Sequence, residues 1–345
     1  MSVPILICDD SGLARKQLAR SLPESWDVKV SFAADGVEAL AGIMDGNADI
    51  LFLDLNMPVM DGYKVLEAIR SQDLPTLVIV VSGDVQPQAR QRVMALGALD
   101  FIKKPIDSDK LQAILEQYGI LHELDGRSAA ATASQGPALR PQELAFDIHE
   151  GYQEIANVGM GQAADLLARL LGVFIELPIP QVRKLSTEQL PQLILQAIPG
   201  SEVPASEVSA VTQGFVGAGV SGEALLFIED SHLDALSRLI EQQGKINGGD
   251  QLDLLMETSN ILIGACMGGF AEQLDLKFSM GHPVMLGRAL DSKELAFKPA
   301  GADAELMTIE MCYGIREQPI HFILLLIFTG DSIPLLDERI KLLVE

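Results

Sequence analysis

One stretch of this chain is written twice. Glu154 and Asn157 are followed by Gly161, Ala168 and Pro180, and Glu257 and Asn260 by Gly264, Ala271 and Pro283, all at a constant offset of 103 residues. Of five Asn in the chain, only these two have Glu three residues before them and Pro twenty-three residues after. With proline near 5% of ordinary sequence, two such prolines at one preset spacing arise by chance roughly one time in 400. The duplication constrains the fold: what the first copy forms, the second can form again, so this part of the chain is expected to be pseudo-twofold.

Each copy reads as a long helix feeding a short strand. Residues 143–171 and 250–272 carry Leu, Ala and Met at helical spacing, and 173–177 and 276–280 are short apolar runs. An antiparallel strand pair is expected after each unit, 208–215 with 223–229 and 305–313 with 320–328. Turn residues Gly217, Gly219 and Gly222 separate the first pair and Gly314 opens the turn of the second. Helices over 231–243 and 335–343 complete an α+β domain. Positions i, i+4 and i+7 share one helix face, so Glu150, Glu154 and Asn157 project together, as do Asp253, Glu257 and Asn260. Two carboxylates are costly to bury without cations, so both stripes are expected to face solvent or a partner. Gly159, Gly161, Gly264, Gly268 and Gly269 leave room for close neighbours.

The first 122 residues follow another pattern. Short β-rich runs at 4–8, 28–32, 50–53, 77–81 and 99–102 alternate with amphipathic stretches of ten to fourteen residues, which predicts an α/β domain: a doubly wound five-stranded parallel sheet, flavodoxin-like. Such sheets bind ligands beyond the carboxyl ends of their strands. The polar residues fall there: Asp9 and Asp10 after the first run, Asp54 after the third, Ser82 after the fourth and Lys104 after the fifth. Crowded carboxylates call for a cation, and hard oxygens with room for water suit magnesium. An Asp54 that accepts a phosphoryl group would have metal, ammonium and hydroxyl around the transferred oxygens.

The Asp9-Asp10 pair, Leu-Asp-Leu-Asn-Met-Pro-Val-Met-Asp-Gly at 53–62, Ser82-Gly83-Asp84 and Phe101-Ile-Lys-Lys104-Pro105 resemble the CheY-like receiver domain of two-component response regulators. The resemblance implies that Asp54 is the phospho-acceptor, that Asp9, Asp10, Asp54 and Asn56 hold Mg2+, that Ser82 and Lys104 contact the phosphoryl group, and that Phe101 is the switch aromatic. It also implies a sensor histidine kinase as phosphodonor and a cis Lys104–Pro105 peptide.

The twin motif resembles the CheC, CheX and FliY phosphatases, whose signature is Asp or Ser, three residues, Glu, two residues, Asn, twenty-two residues, Pro. The copy from Asp253 to Pro283 matches throughout; the first departs at Glu150. By that resemblance Glu154, Asn157, Glu257 and Asn260 are catalytic, supported by Glu150, Asp253, Pro180 and Pro283, and the substrate is the acyl phosphate of a CheY-like receiver. The motif Glu pairs with the receiver lysine while the Asn amide orients an in-line water. The implied rival is a non-enzymatic adaptor, controlled by Asp54 phosphorylation, that binds a CheD-like protein or a flagellar-switch component. A phosphate sink draining a kinase is a third reading.

Three boundaries follow: a receiver over 1–122, a flexible linker over 123–142 and a CheC-like domain over 143–345. The linker is small and polar, without apolar periodicity. Net charge is −23, of which −6 falls on residues 1–122 and −17 on 123–345, a balance that repels a phosphate backbone and argues against nucleic-acid binding. Three scattered cysteines without C-x-x-C spacing, an N-terminus unlike a signal peptide and no apolar run of membrane-spanning length predict a cytoplasmic protein.

Overall fold

A computed structural model describes residues 2–23, 26–118, 147–197, 207–242, 251–291 and 305–343; the expected linker lies outside them. The chain forms two compact units, residues 1–154 with 343–345 and residues 155–342.

The first unit is built on β1 (Val3–Cys8), β2 (Val28–Ala33), β3 (Ile50–Leu53), β4 (Leu77–Ser82) and β5 (Asp100–Lys103), all parallel in the order β2-β1-β3-β4-β5. Helices α1 (Gly12–Ser21), α2 (Gly36–Met44), α3 (Gly62–Gln72), α4 (Pro87–Leu96) and α5 (Ser108–Gln117) make the crossovers. Strand side chains alternate between two faces, and here both faces are buried. Leu6, Leu51, Leu53, Val78 and Val80 pack on one side with Leu40 of α2 and Val65 of α3. Ile5, Ile7, Ile50, Phe52, Ile79 and Val81 pack on the other with Leu18 of α1 and Leu111 of α5. Each such buried side chain contributes about 1.5–3 kcal/mol, so the strands read as nearly continuous apolar runs. Ser11, Asp35, Asp61 and Asp107 cap α1, α2, α3 and α5 through their side-chain oxygens.

The second unit takes in α6 (Ile148–Leu171) from Ile155 onward, β6 (Ile175–Glu176), β7 (Gln181–Ser186), α7 (Leu190–Ala197), β8 (Glu207–Gly217), β9 (Val220–Glu229), α8 (Asp230–Gln242), α9 (Gln251–Leu274), β10 (Ser279–Met280), β11 (Val284–Asp291), β12 (Glu305–Ile315), β13 (His321–Thr329) and α10 (Ile333–Leu342). Its strands form one antiparallel sheet in the order β10-β8-β9-β13-β12-β6, with β11 also on β8 and β7 also on β12. The duplication is visible in this order. Hairpins β8–β9 and β12–β13 meet at the centre, Leu225 opposite Leu325, and each copy's short strands pair with the other copy's hairpin. Because the copies exchange edge strands, neither can complete its sheet alone.

Helices α6 and α9 meet through glycine. A Cβ on Gly269 would stand 2.7 Å from the Gly159 Cα, and one on Gly159 would stand 2.9 Å from the Cys266 carbonyl. The expectation of close neighbours holds at these two positions; a Cβ on Gly264 or Gly268 would meet nothing within 4 Å among the described residues. Phe270 of α9 packs on Phe328 of β13, ring centroids 6.1 Å apart. Leu190, Leu193 and Ile194 of α7 cover another cluster with Ala210, Leu225, Phe227 and Ile323.

Several expectations need correction. Gly217 and Gly222 lie inside β8 and β9, and the turn is Ala218-Gly219, both with positive φ, 52° and 84°, as a tight hairpin requires. Gly222 is needed for a different reason: a Cβ there would strike the Ile327 carbonyl and the Phe215 ring. Gly314 is still paired, with Glu176 and His321, so the second turn begins later, beyond Ile315. Strands β7 and β11 and helix α7 were not anticipated. Helix α9 is long and apolar enough to cross a membrane, with mean hydropathy 1.3 over its best window, although the sequence shows no unbroken apolar run; 56% of that window is buried within the protein.

Candidate functional site

The polar pole of the first unit is set by the ladder that runs past its strands. Asp9 N–H donates to the Ala33 carbonyl at 3.1 Å, Asp54 N–H to Cys8 at 2.9 Å and Lys104 N–H to Ser82 at 3.0 Å. Asp9, Asp54 and Lys104 are thereby each the first residue beyond a strand, and Ser82 closes β4. The Lys104–Pro105 peptide is cis, as expected. The Asp61-Gly62 pair of the 53–62 run also has a structural reason: Asp61 caps α3, and a Cβ on Gly62 would collide with the Asp54 carbonyl.

Asp9, Asp10 and Asp54 each place a carboxylate oxygen within 4.8 Å of the others. Lys104, 4% exposed, sits among carboxylates: its Nζ is 2.7 Å from Asp9 Oδ2, 3.2 Å from Asp54 Oδ1 and 3.1 Å from Glu154 Oε1. Burial by itself would pull the ammonium down, but Asp54, Asp9 and Glu154 outweigh it and hold Lys104 above its ordinary range. Burial pushes Asp9 well up against the opposing pull of Lys104, and burial with the Asp54 charge lifts Asp10 to about 7. Burial also raises Glu154, with Lys104 opposing. Four carboxylates against one ammonium are undercompensated, and oxygen ligands of this kind fit a hard divalent cation such as Mg2+.

Ser82 is fully buried, and its hydroxyl accepts the Asp84 N–H at 3.1 Å. Asn56 donates its N–H to Asp54 Oδ2 at 2.8 Å, which pins one oxygen of that carboxylate. Phe101 is half-buried against the cluster that holds Leu53 and Val80.

Glu150 and Glu154 belong to this same unit. Besides the Lys104 pair, the Gly12 N–H at the start of α1 donates to Glu150 Oε2 at 2.8 Å. A helix N-terminus favours an anion, so Glu150, the one departure from the motif, has a defined contact. The stripe is expected to face solvent or a partner, since burial without a cation is costly; Glu154 is 4% exposed, and Lys104 supplies that cation. Asn157, in the second unit, is half-buried.

Asp253, Glu257 and Asn260 are all exposed, on one face of α9, as the spacing predicts. Exposed Gly264 and Gly268 continue that face. Pro180 and Pro283 immediately precede β7 and β11, which start on the outer side of the sheet. Proline is suited to such positions since it has no N–H to give a ladder, so the constant Asn-to-Pro spacing records the helix-to-edge-strand connection.

One residue escaped the sequence reading. Arg15 donates through its guanidinium to the carbonyls of both Asp9 and Asp10, the latter at 3.2 Å, and so fixes the loop that carries the acid pair. Its position one turn into the helix that opens after Asp9-Asp10-Ser11 was the available signal.

The response regulator receiver domain family matches residues 5–116. The chain is 33% identical over 210 residues to the response regulator MprA of Mycobacterium bovis, spanning 60% of this chain and 83% of that one. It is 40% identical over 131 residues to a protein-glutamate methylesterase/protein-glutamine glutaminase of Rhodospirillum rubrum, 37% of this chain and 34% of that one. Among solved structures, Thermotoga maritima FliY aligns at 18% identity and TM-score 0.44 over 58% of this chain and 98% of its own. The chemotaxis protein CheY4 of Vibrio cholerae aligns at 30% identity and TM-score 0.32 over 34% and 98%.

Proposed function

Because the chain belongs to the response-regulator family, with a receiver domain that takes part in two-component signalling, we propose that it is also a phosphoaspartyl phosphatase whose Glu-x-x-Asn motifs hydrolyse the acyl phosphate of a CheY-like receiver. The observation that carries this reading is the Glu154–Lys104 pair: a motif carboxylate lies 3.1 Å from the lysine of a phosphoacceptor pole. A random acidic helix face has no reason to place its glutamate there.

In this reading a histidine kinase supplies the phosphoryl group and Asp54 accepts it. The motif Glu pairs with the receiver lysine and seats the helix, while the Asn carboxamide orients a water in line with phosphorus. The water oxygen bonds to phosphorus as the bond from phosphorus to the aspartyl oxygen breaks; the aspartate carboxylate is restored, and inorganic phosphate leaves with the water's proton shed to solvent. A loose phosphoryl-transfer transition state asks for positioning and charge stabilisation more than for a strong base. Mg2+ held by Asp9, Asp10 and Asp54, with Asn56 beside them, would neutralise charge on the phosphoryl oxygens. In this reading Ser82 and Lys104 contact the same oxygens, and Phe101 is the switch aromatic.

The test is phosphate release from a phosphorylated CheY-like receiver. Wild type should accelerate it, and the chain with Glu154→Ala, Asn157→Ala, Glu257→Ala and Asn260→Ala should not. Equal release by the two would leave the adaptor reading, in which the second unit binds a CheD-like or flagellar-switch partner without chemistry.

A further inference from the structure

The two motifs are equal in sequence and unequal in surroundings. Glu154 is 4% exposed and paired with Lys104 of the pole that holds Asp54, and Glu150 takes the Gly12 N–H beside the acid pair. Glu257 and Asn260, the counterparts of Glu154 and Asn157 at an offset of 103 residues, are exposed, and neither side chain has an ion pair or hydrogen bond among the described residues.

The exposed face carries a second peculiarity. Gly264 and Gly268 follow Asn260 at helical spacing within the 24-residue α9, both exposed, with nothing within 4 Å of an added Cβ. A glycine in a helix interior costs about 0.8–1.0 kcal/mol relative to alanine. Gly159 and Gly269 have a packing reason for it; Gly264 and Gly268 have none among the described residues. A smooth strip beside two polar side chains is what lets another backbone approach a helix closely.

Resting on the phosphatase reading above, we infer that the motifs divide the work: Glu154–Asn157 serves the chain's own phosphorylated Asp54, while Glu257–Asn260, with Gly264 and Gly268, is the docking face for a phosphorylated receiver carried by another polypeptide. The occupant follows from the repeat: a glutamate whose twin lies against a receiver lysine presents the same carboxylate at the same helical spacing on an exposed face. A lysine such as Lys104 is the complementary group.

Concentration dependence in full-length chains separates the two roles. One chain keeps only the first pair (Glu257→Gln with Asn260→Ala), a second keeps only the second pair (Glu154→Gln with Asn157→Ala), and a third keeps neither. Each is phosphorylated at Asp54 and its decay followed at several protein concentrations. The first should decay about 100-fold faster than the third, the scale expected when a positioning group is lost, at a rate independent of concentration. The second should decay at a rate that rises in proportion to concentration. A wild type no faster than the third chain would overturn the phosphatase reading itself. A fast wild type with any other pattern, such as both single-motif chains showing the same concentration dependence, would overturn the division of labour alone. Glu257 and Asn260 are exposed and Glu154→Gln is isosteric, so folding is readily checked by circular dichroism.

Discussion

Two 24-residue helices, α6 and α9, carry the same residues at the same spacing, yet one motif glutamate is enclosed and the other is open. The difference lies in what each glutamate meets. Glu154 finds an ammonium that two other acids, Asp9 and Asp54, also crowd, and a carboxylate can be buried there because the cation is already in place. Glu257 has no such partner among the described residues and is exposed. A repeated motif therefore fixes which side chains share a face, while the electrostatics around that face decide whether it is closed.

The largest effect that would sharpen this comparison is removal of the shared cation. Lys104→Met leaves Asp9, Asp54 and Glu154 facing one another, and in Mg2+-free buffer it should cost about 3–5 kcal/mol in urea unfolding, the cost of orphaning buried charge. No substitution near Glu257 should approach that. A loss as small as that of an exposed lysine would mean that Glu154 is not held as described.

Next comes chemistry on the open helix. Asn260→Ala should lower hydrolysis of a separate phosphorylated receiver about 100-fold, since the amide positions the water. A change of twofold or less would remove Asn260 from the reaction.

The acid pole should then report itself through pH. Burial and Asp54 lift Asp10 to about 7 in the folded protein, above its ordinary value of 3.8. The sign follows: the folded state holds this proton more tightly than the unfolded chain, so metal-free stability falls as pH rises from about 4 through 7. Mg2+ must displace the same proton, so its affinity should rise about tenfold from pH 6 to pH 8, read by titration calorimetry. A flat profile would show Asp10 ionised throughout.

Smallest are the glycines. Gly269→Ala pushes a methyl against the Gly159 backbone and should destabilise by about 1–3 kcal/mol, whereas Gly264→Ala meets open space and should stabilise by about 0.5–1 kcal/mol. Thermal melts of the two variants should move in opposite directions.

Much of the first unit was legible, because parallel strands buried on both faces read as plain apolar runs and their polar successors mark one pole. The long helices and the two hairpins of the second unit were legible for similar reasons. Strand β7, Gln-Val-Arg-Lys-Leu-Ser, offers only two apolar residues, and β11 is broken by register shifts around Gly287, so neither shows sustained alternation. Their pairing across the repeat is a long-range outcome with no local signature. The same holds for Glu154: its helical face could be read from spacing, but its burial depends on Lys104, 50 residues earlier in the chain.

The asymmetry of the two motif glutamates can be measured directly by carboxyl-selective labelling of the full-length protein, with mass spectrometry of the peptides containing Glu154 and Glu257. Glu257 should label readily and Glu154 should be protected, and Lys104→Met should release Glu154 to label as Glu257 does. Equal labelling of both in the wild-type chain would contradict the account.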